Sequence, residues 1–106
     1  MANGDLTKEI EYDKIEIVGT WNVQVRQATK VMEEQADGSK KELSRTFHRY
    51  VLIPFSSVKG SDGKWTHTDT DLSKEDAKVK AIAEAAWDSN TKTAFKSYIE
   101  SQSILG

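Results

Sequence analysis

From Glu9 onward, apolar and charged residues alternate. Ile10 and Tyr12 alternate with Glu9, Glu11 and Asp13, and Ile15 and Ile17 with Lys14 and Glu16. A period of two is the mark of a half-buried strand. The phase slips by one residue between Tyr12 and Ile15, and a bulge near Asp13-Lys14 accommodates such a slip. Gly19-Thr20 reads as a turn. Over residues 21–35, Trp21, Val23, Val25 and Val31 take odd positions, while Gln24, Arg26, Lys30 and Glu34 take even ones. This predicts a second, long and bent strand. Asp37-Gly38 follows, and Asp-Gly between two alternating runs predicts a hairpin with a two-residue type I′ turn. Residues 41–54 supply the returning strand, with Phe47 and Val51 on one face and His48, Tyr50 and Leu52 on the other. Pro54 cannot donate to a ladder and closes it.

Residues 55–72 carry Ser56-Ser57, Lys59-Gly60 and Ser61-Asp62-Gly63 and read as a loop, with a short extended piece at 65–70. Ser73 followed by Glu75 and Asp76 then signals a helix start. Val79, Ile82, Ala83, Ala86 and Trp87 form a continuous helical stripe, predicting a helix over residues 74–87. Asp88-Ser89-Asn90 breaks it and caps a second helix over 91–102, striped by Ala94, Phe95, Tyr98 and Ile99. Ile104-Leu105 is a short apolar tail suited to packing back or to meeting another subunit. The predicted fold is therefore α+β. It has a three-stranded antiparallel meander, with its long hairpin at Asp37-Gly38, packed against two short C-terminal helices. Residues 1–8 are expected as a flexible N-terminal arm and residues 9–106 as a single domain. A lone three-stranded sheet cannot bury its apolar side, so the helices are expected to cover one face through Val79, Trp87, Phe95 and Ile99.

Composition narrows the chemistry. The chain has 106 residues, 37% hydrophobic and 30% charged, an ordinary globular mix. It holds no cysteine, which excludes disulfides, thiol nucleophiles, zinc fingers and iron–sulfur sites. No apolar run approaches the roughly 20 residues of a membrane span. The start Met1-Ala2-Asn3-Gly4-Asp5-Leu6 shows no secretory signal pattern. A net charge of −2 argues against a strongly basic nucleic-acid binder but leaves room for a basic patch.

Such a patch is expected on the hairpin. With a two-residue turn at Asp37-Gly38, Arg26 faces Arg49, Lys30 faces Arg45, and Ala28 faces Phe47. Like charges directly opposite are unfavourable, so an anion must compensate. Residues 1–21 carry two Lys and five acids, net −3, and residues 22–60 carry seven basic groups and four acids, net +3. The first strand can therefore neutralise the hairpin. A nucleic-acid backbone, with Phe47 stacking on a base, is the other source. The candidate contact residues for an anion, a nucleic acid or a partner are Arg26, Lys30, Arg45, Phe47 and Arg49.

Catalytic signatures are sparse. The sequence has no G-x-S-x-G elbow and no glycine-rich phosphate loop, so no enzyme activity and no cofactor or metal is expected. His67, Asp69 and Asp71 alternate, and an extended segment aims them the same way, with Asp62 nearby. That arrangement is the one place for a weak divalent-ion site or a small catalytic centre. A polar loop leading into a helix start accounts for the same residues. The helix–turn–helix order at 74–102 has a poor DNA-reading helix, whose cations are Lys92 and Lys96 beside Glu100.

The order Val23-Gln24-Val25-Arg26, then Phe47-His48-Arg49, then Glu75-Asp76-Ala77-Lys78-Val79-Lys80-Ala81-Ile82 with Trp87 resembles small uncharacterised proteins of tailed bacteriophages, many of them marine. The likeness extends over roughly residues 10–99 and is one of overall pattern, with no catalytic signature. It implies a phage-encoded accessory or virion-associated structural protein, in the virion or the cytoplasm of the infected host. With the residues above, it points to a non-enzymatic protein-interaction module. An open sheet edge recruits a protein partner or a second copy by strand addition. A nucleic-acid-binding accessory protein using the basic hairpin is the alternative.

Overall fold

Two of the hairpins, one long and one short, turn on an Asp-Gly step, and the backbone of that step decides the register. The computed structural model describes the backbone of residues 5–105 and side chains through Gln102. Its order is β1 (Leu6–Val18), β2 (Asn22–Glu34), β3 (Lys40–Leu52), β4 (Phe55–Lys59), β5 (Trp65–Asp69), α1 (Ala77–Ala86) and α2 (Ser89–Leu105). The strands form a three-stranded sheet ordered β1-β2-β3 and a two-stranded sheet of β4 and β5. The α+β architecture expected from the sequence is thus present, with a second small sheet added. Residues 1–4 of the expected arm, and the side chains of Ile104 and Leu105 in the expected tail, lie outside the described residues. Strand β1 begins at Leu6, earlier than the alternation suggests, and beside it the Glu34 N–H donates to the Asp5 carbonyl at 2.9 Å.

The β2–β3 turn differs from the expected one. The Gln35 N–H donates to the Ser39 carbonyl (2.7 Å), and the Gly38 N–H to the Gln35 carbonyl (3.0 Å). The loop is therefore Ala36-Asp37-Gly38, three residues long. A type I′ turn needs positive φ at both central residues, but here only Gly38 has it (φ 87°). Asp37 instead spends its carboxylate on the loop, accepting from the Ser39 N–H at 2.9 Å and the Ser39 hydroxyl at 2.6 Å. Gln35 consequently faces Ser39, one step away from the pairing that the two-residue turn implies.

The same device builds β4–β5, where the sequence suggested a loop with a short extended piece at 65–70. The Gly60 N–H donates to the Lys64 carbonyl (2.7 Å), the Gly63 N–H to the Gly60 carbonyl (3.0 Å), and the Lys64 N–H to Asp62 Oδ1 (3.0 Å). Gly63 sits at φ 83°. The pairing runs from Phe55↔Asp69 to Lys59↔Trp65. These strands have five residues each, too short for alternation to stand out from loop-like polarity.

Contacts divide the chain into two compact units. The first holds β1 through Ile15 with Val25–Tyr50. Here β2 is flanked on both sides and contributes the buried Val25 and Ala28. Every residue of β3 from Lys40 to Arg49 is exposed. Both helices belong to the second unit.

The second unit holds Glu16–Gln24 and the chain from Val51 on. Its core is Val23, Phe55, Leu72, Val79, Ala83, Trp87 and Phe95. Helix α1 is capped by Asp76, whose carboxylate accepts from the Lys78 N–H at 3.0 Å. Ser73, the expected cap, instead donates its N–H to Asp71 Oδ1 (2.9 Å) in a preceding turn. Asp88 starts α2 by accepting from the Thr91 N–H at 2.8 Å, which lengthens the helix beyond the expected start. The Trp87 Nε1–H donates to the Trp21 carbonyl at 2.7 Å. Trp21 meets Phe95 edge-on at 5.4 Å and Tyr98 at 5.5 Å, and Phe55 meets Phe95 at 6.0 Å. Among the described residues, no helix is long and apolar enough to cross a membrane.

Trp87→Phe keeps an aromatic ring in this core but deletes the N–H. Urea unfolding of the variant is expected to show a loss of about 1 kcal/mol, the worth of one buried hydrogen bond.

Candidate functional site

Two side-chain clusters carry the chemistry of this chain, one in each unit. The first is an ion-pair cluster on the three-stranded sheet, centred on Asp13. Strand β1 sets the Asp13 carboxylate beside β2, where Arg26 grips it with both arms: Nε to Oδ1 at 2.9 Å and Nη2 to Oδ2 at 2.8 Å. Arg45 of β3 lies across from the same carboxylate, Nη1 to Oδ2 at 3.7 Å. Arg45 also makes a two-armed contact with Glu42, at 3.1 and 2.8 Å. The Arg26 guanidinium covers the Phe47 ring, 4.5 Å from its centroid. Lys30 pairs with Glu11 at 3.0 Å, and Lys40 with Glu9 at 3.3 Å.

Planar guanidinium against carboxylate is the strongest surface pairing geometry, and charge-assisted bonds of this length favour the ionised acid. The Arg26 hydrogen bonds hold the Asp13 carboxyl below its ordinary range, and the Arg45 charge adds to this. Glu42 is lowered chiefly by its hydrogen bonds from Arg45. Both arginines are held still more firmly in the charged state by the same bonds.

Of the five residues singled out from the sequence, Arg26, Arg45 and Phe47 meet in this cluster, and Lys30 pairs with an acid of the same strand as Asp13. Arg49 is exposed on β3 and pairs with no acid among the described residues. The acids Glu9, Glu11, Asp13 and Glu42 complete the set. The acidity of the first strand was the signal for three of them. The facing pairs Arg26–Arg49 and Lys30–Arg45 belong to a two-residue turn and fall away with the Gln35–Ser39 pairing; Arg26, Lys30 and Arg45 each meet an acid of the sheet instead.

The second cluster surrounds His67 on β5. His67 Nδ1 lies 2.7 Å from Ser57 Oγ on β4, and Nε2 lies 2.7 Å from Glu100 Oε2 on α2. The Trp65 ring lies nearly parallel to the imidazole, 9° between planes and 6.1 Å between centroids. Phe55 meets it edge-on at 5.9 Å. Only 9% of the His67 side chain is exposed. The Phe55 ring in turn lies under Lys96 at 4.7 Å and Lys92 at 5.8 Å. The sequence singled out His67 with Asp69 and Asp71, but the structure separates them. Asp69 faces Lys92 at 3.8 Å, and Asp71 accepts from Ser73. Among the described residues, no three His, Asp or Glu side chains gather as metal ligands. Ser57 and Glu100 went unseen because their approach to His67 depends on the β4–β5 hairpin and on α2.

Because the Asp13 carboxyl titrates lower in the folded chain than in the unfolded one, its contribution is complete above the ordinary aspartate pKa of about 4. That contribution is lost as pH falls through the lowered folded value. Asp13→Asn is therefore expected to lower the melting temperature at pH 7 and to flatten its decline below about pH 4, read by thermal melts across pH. No protein family, no curated protein and no solved structure was found to match this chain.

Proposed function

We propose that this chain is a protein-interaction module that joins sheets edge to edge, its partner being a second copy of itself. In this reading, β3 of one copy takes β1 of the next. The observation that carries it is the exposure of β3 along the sheet's outer side, with Leu43 48% and Phe47 49% exposed. Strand β1 forms the opposite edge, with Leu6 61% and Ile10 59% exposed. An edge strand offers unpaired N–H and C=O groups, and apolar side chains beside them favour covering by another strand.

The two edges complement each other. Each strand is thirteen residues long. Strand β1 carries Lys8 and Lys14 against Glu9, Glu11, Asp13 and Glu16, net −2. Strand β3 carries Lys40, Lys41, Arg45 and Arg49 against Glu42, net +3, with Lys40 and Arg45 already matched inside the sheet by Glu9, Asp13 and Glu42. Leu6 and Ile10 are four residues apart, as are Leu43 and Phe47. A contact between unlike edges repeats from copy to copy, so it builds a ring or a filament. The resemblance to tailed-phage proteins fits an accessory or virion-associated setting for such an assembly. The internal pairs of Arg26, Lys30, Lys40 and Arg45 weigh against the nucleic-acid alternative, because these cations already have anions.

Sedimentation velocity tests the reading. Leu43→Lys and Ile10→Lys, each at an exposed site, are expected to remain monomeric where the unsubstituted chain associates. Mixed in equal amounts, they are expected to give a dimer and nothing larger, since each retains one intact edge. A chain that is monomeric at its highest soluble concentration overturns self-association. Salt-sensitive binding of a labelled oligonucleotide, lost in Arg49→Ala, favours the nucleic-acid alternative instead.

A further inference from the structure

We propose that Ser57 is an activated nucleophile, with His67 as its general base and Glu100 as the positioning residue, and that the second unit hydrolyses small esters with apolar acyl groups. This departs from the expectation of a non-enzymatic chain and stands apart from the edge-association reading, since it uses β4, β5 and α2 alone.

The geometry assigns the protons. An ionised carboxylate can only accept, so Glu100 Oε2 at 2.7 Å fixes the proton of the neutral imidazole on Nε2. That leaves the Nδ1 lone pair facing the Ser57 hydroxyl at 2.7 Å. A hydroxyl donating to an imidazole whose far nitrogen is held by a carboxylate is the arrangement that activates a serine. Here the two ring nitrogens exchange their usual roles. The stacked Trp65 ring and the Phe55 edge fix the plane of the imidazole.

The ladder explains why Ser57 and His67 meet. They are partners in the β4–β5 register. The Gly60–Lys64 and Pro54–Thr70 pairs are hydrogen-bonded, and each lies three positions from Ser57–His67. Bonded and non-bonded pairs alternate in an antiparallel ladder, so Ser57–His67 is a non-bonded pair, the kind in which side chains approach closest. The same alternation turns the Ser57 N–H away from β5, on the outer side of β4. There it is placed next to its own Oγ, where the oxyanion of a tetrahedral intermediate forms.

A place for substrate adjoins the hydroxyl. Ser57 lies in the wall of a groove of about 530 Å³, lined chiefly by Ile53, Phe55, Trp65, Phe95 and Ile99. These apolar walls suit an acyl chain or an aromatic alcohol, and no charged side chain is among them.

In the reaction, Ser57 Oγ bonds to the ester carbonyl carbon while its proton passes to His67 Nδ1. The imidazolium so formed is stabilised by Glu100. Collapse of the intermediate breaks the carbon–oxygen bond to the leaving alcohol, which takes the proton from Nδ1. Water then attacks acyl-Ser57, giving one proton to Nδ1. The carboxylic acid leaves, and Oγ regains that proton. Ester and water become acid and alcohol, with no other reactant.

The full-length chain is tested with p-nitrophenyl butyrate and with a fluorophosphonate probe, the modified residue being located by peptide mass spectrometry. Expected are probe on Ser57 and a loss of about 100-fold in p-nitrophenol release for Ser57→Ala, in the range for activated groups. Ser61→Ala, in the β4–β5 loop, is expected to keep the full rate. Glu100→Gln is expected to lower kcat for release and to leave KM unchanged, since the imidazole loses the carboxylate that orients it while the groove is intact. Absence of probe on Ser57 in the folded, unsubstituted chain overturns the proposal, as does hydrolysis by Ser57→Ala at the same rate. In either case the three residues serve only to tie the β4–β5 hairpin to α2.

Discussion

The hydrogen bond from the Trp87 indole to the Trp21 carbonyl joins positions 66 residues apart in the chain. It is the hinge of the second unit's assembly. Trp21 sits in the turn between β1 and β2, and its carbonyl would otherwise be left without a partner beside a packed aromatic core. By accepting from Trp87 it fixes the end of α1 against that turn. The ring of Trp21 then meets Phe95 and Tyr98 on α2, and Phe95 meets Phe55 on β4. Each contact brings in one more element, and the series ends with His67 held between β4 and α2. A small domain has few buried side chains to spend, so it depends on aromatic rings that touch several elements at once.

The first unit solves a different problem with different means. Among the described residues, its long sheet segment buries only Val25 and Ala28, and β3 remains exposed over most of its length. Hydrophobic burial alone supports such a sheet weakly. The electrostatics of Asp13, Arg26 and Arg45 join all its strands: a β1 carboxylate is gripped by a β2 guanidinium and approached by one from β3. The stacking of Arg26 over Phe47 adds a cation–π contact that partly covers the ring. Exposed pairs of this kind contribute modestly one by one, but they specify which face of each strand lies where. A sheet held this way keeps its outer edges open, and that openness is the basis of the association reading.

The division of labour between the units bears on function. The edges offer apolar side chains and opposite net charges for contact with another strand. The open groove beside Ser57 offers apolar walls and an imidazole held between Ser57 and Glu100. Neither proposed role uses the residues of the other.

By itself the sequence determined the elements whose signals are local. Alternation marked β1, β2 and β3 to within a few residues, and the stripe from Val79 to Trp87 marked α1. The acid-rich first strand and base-rich hairpin already implied internal charge pairing. Asp37-Gly38 located a turn, but its type rested on whether Asp37 adopts positive φ or bonds to Ser39, a choice that composition does not reveal. Short β5 showed only as an extended piece at 65–70, and β4 was read as loop, for a related reason. Five residues give too few periods for alternation, and the strands persist because Phe55 and His67 pack against α2. The meeting of Ser57, His67 and Glu100 was decided only in three dimensions. It requires the register of one hairpin and the placement of a helix 33 residues away, and no local pattern encodes a contact across that separation.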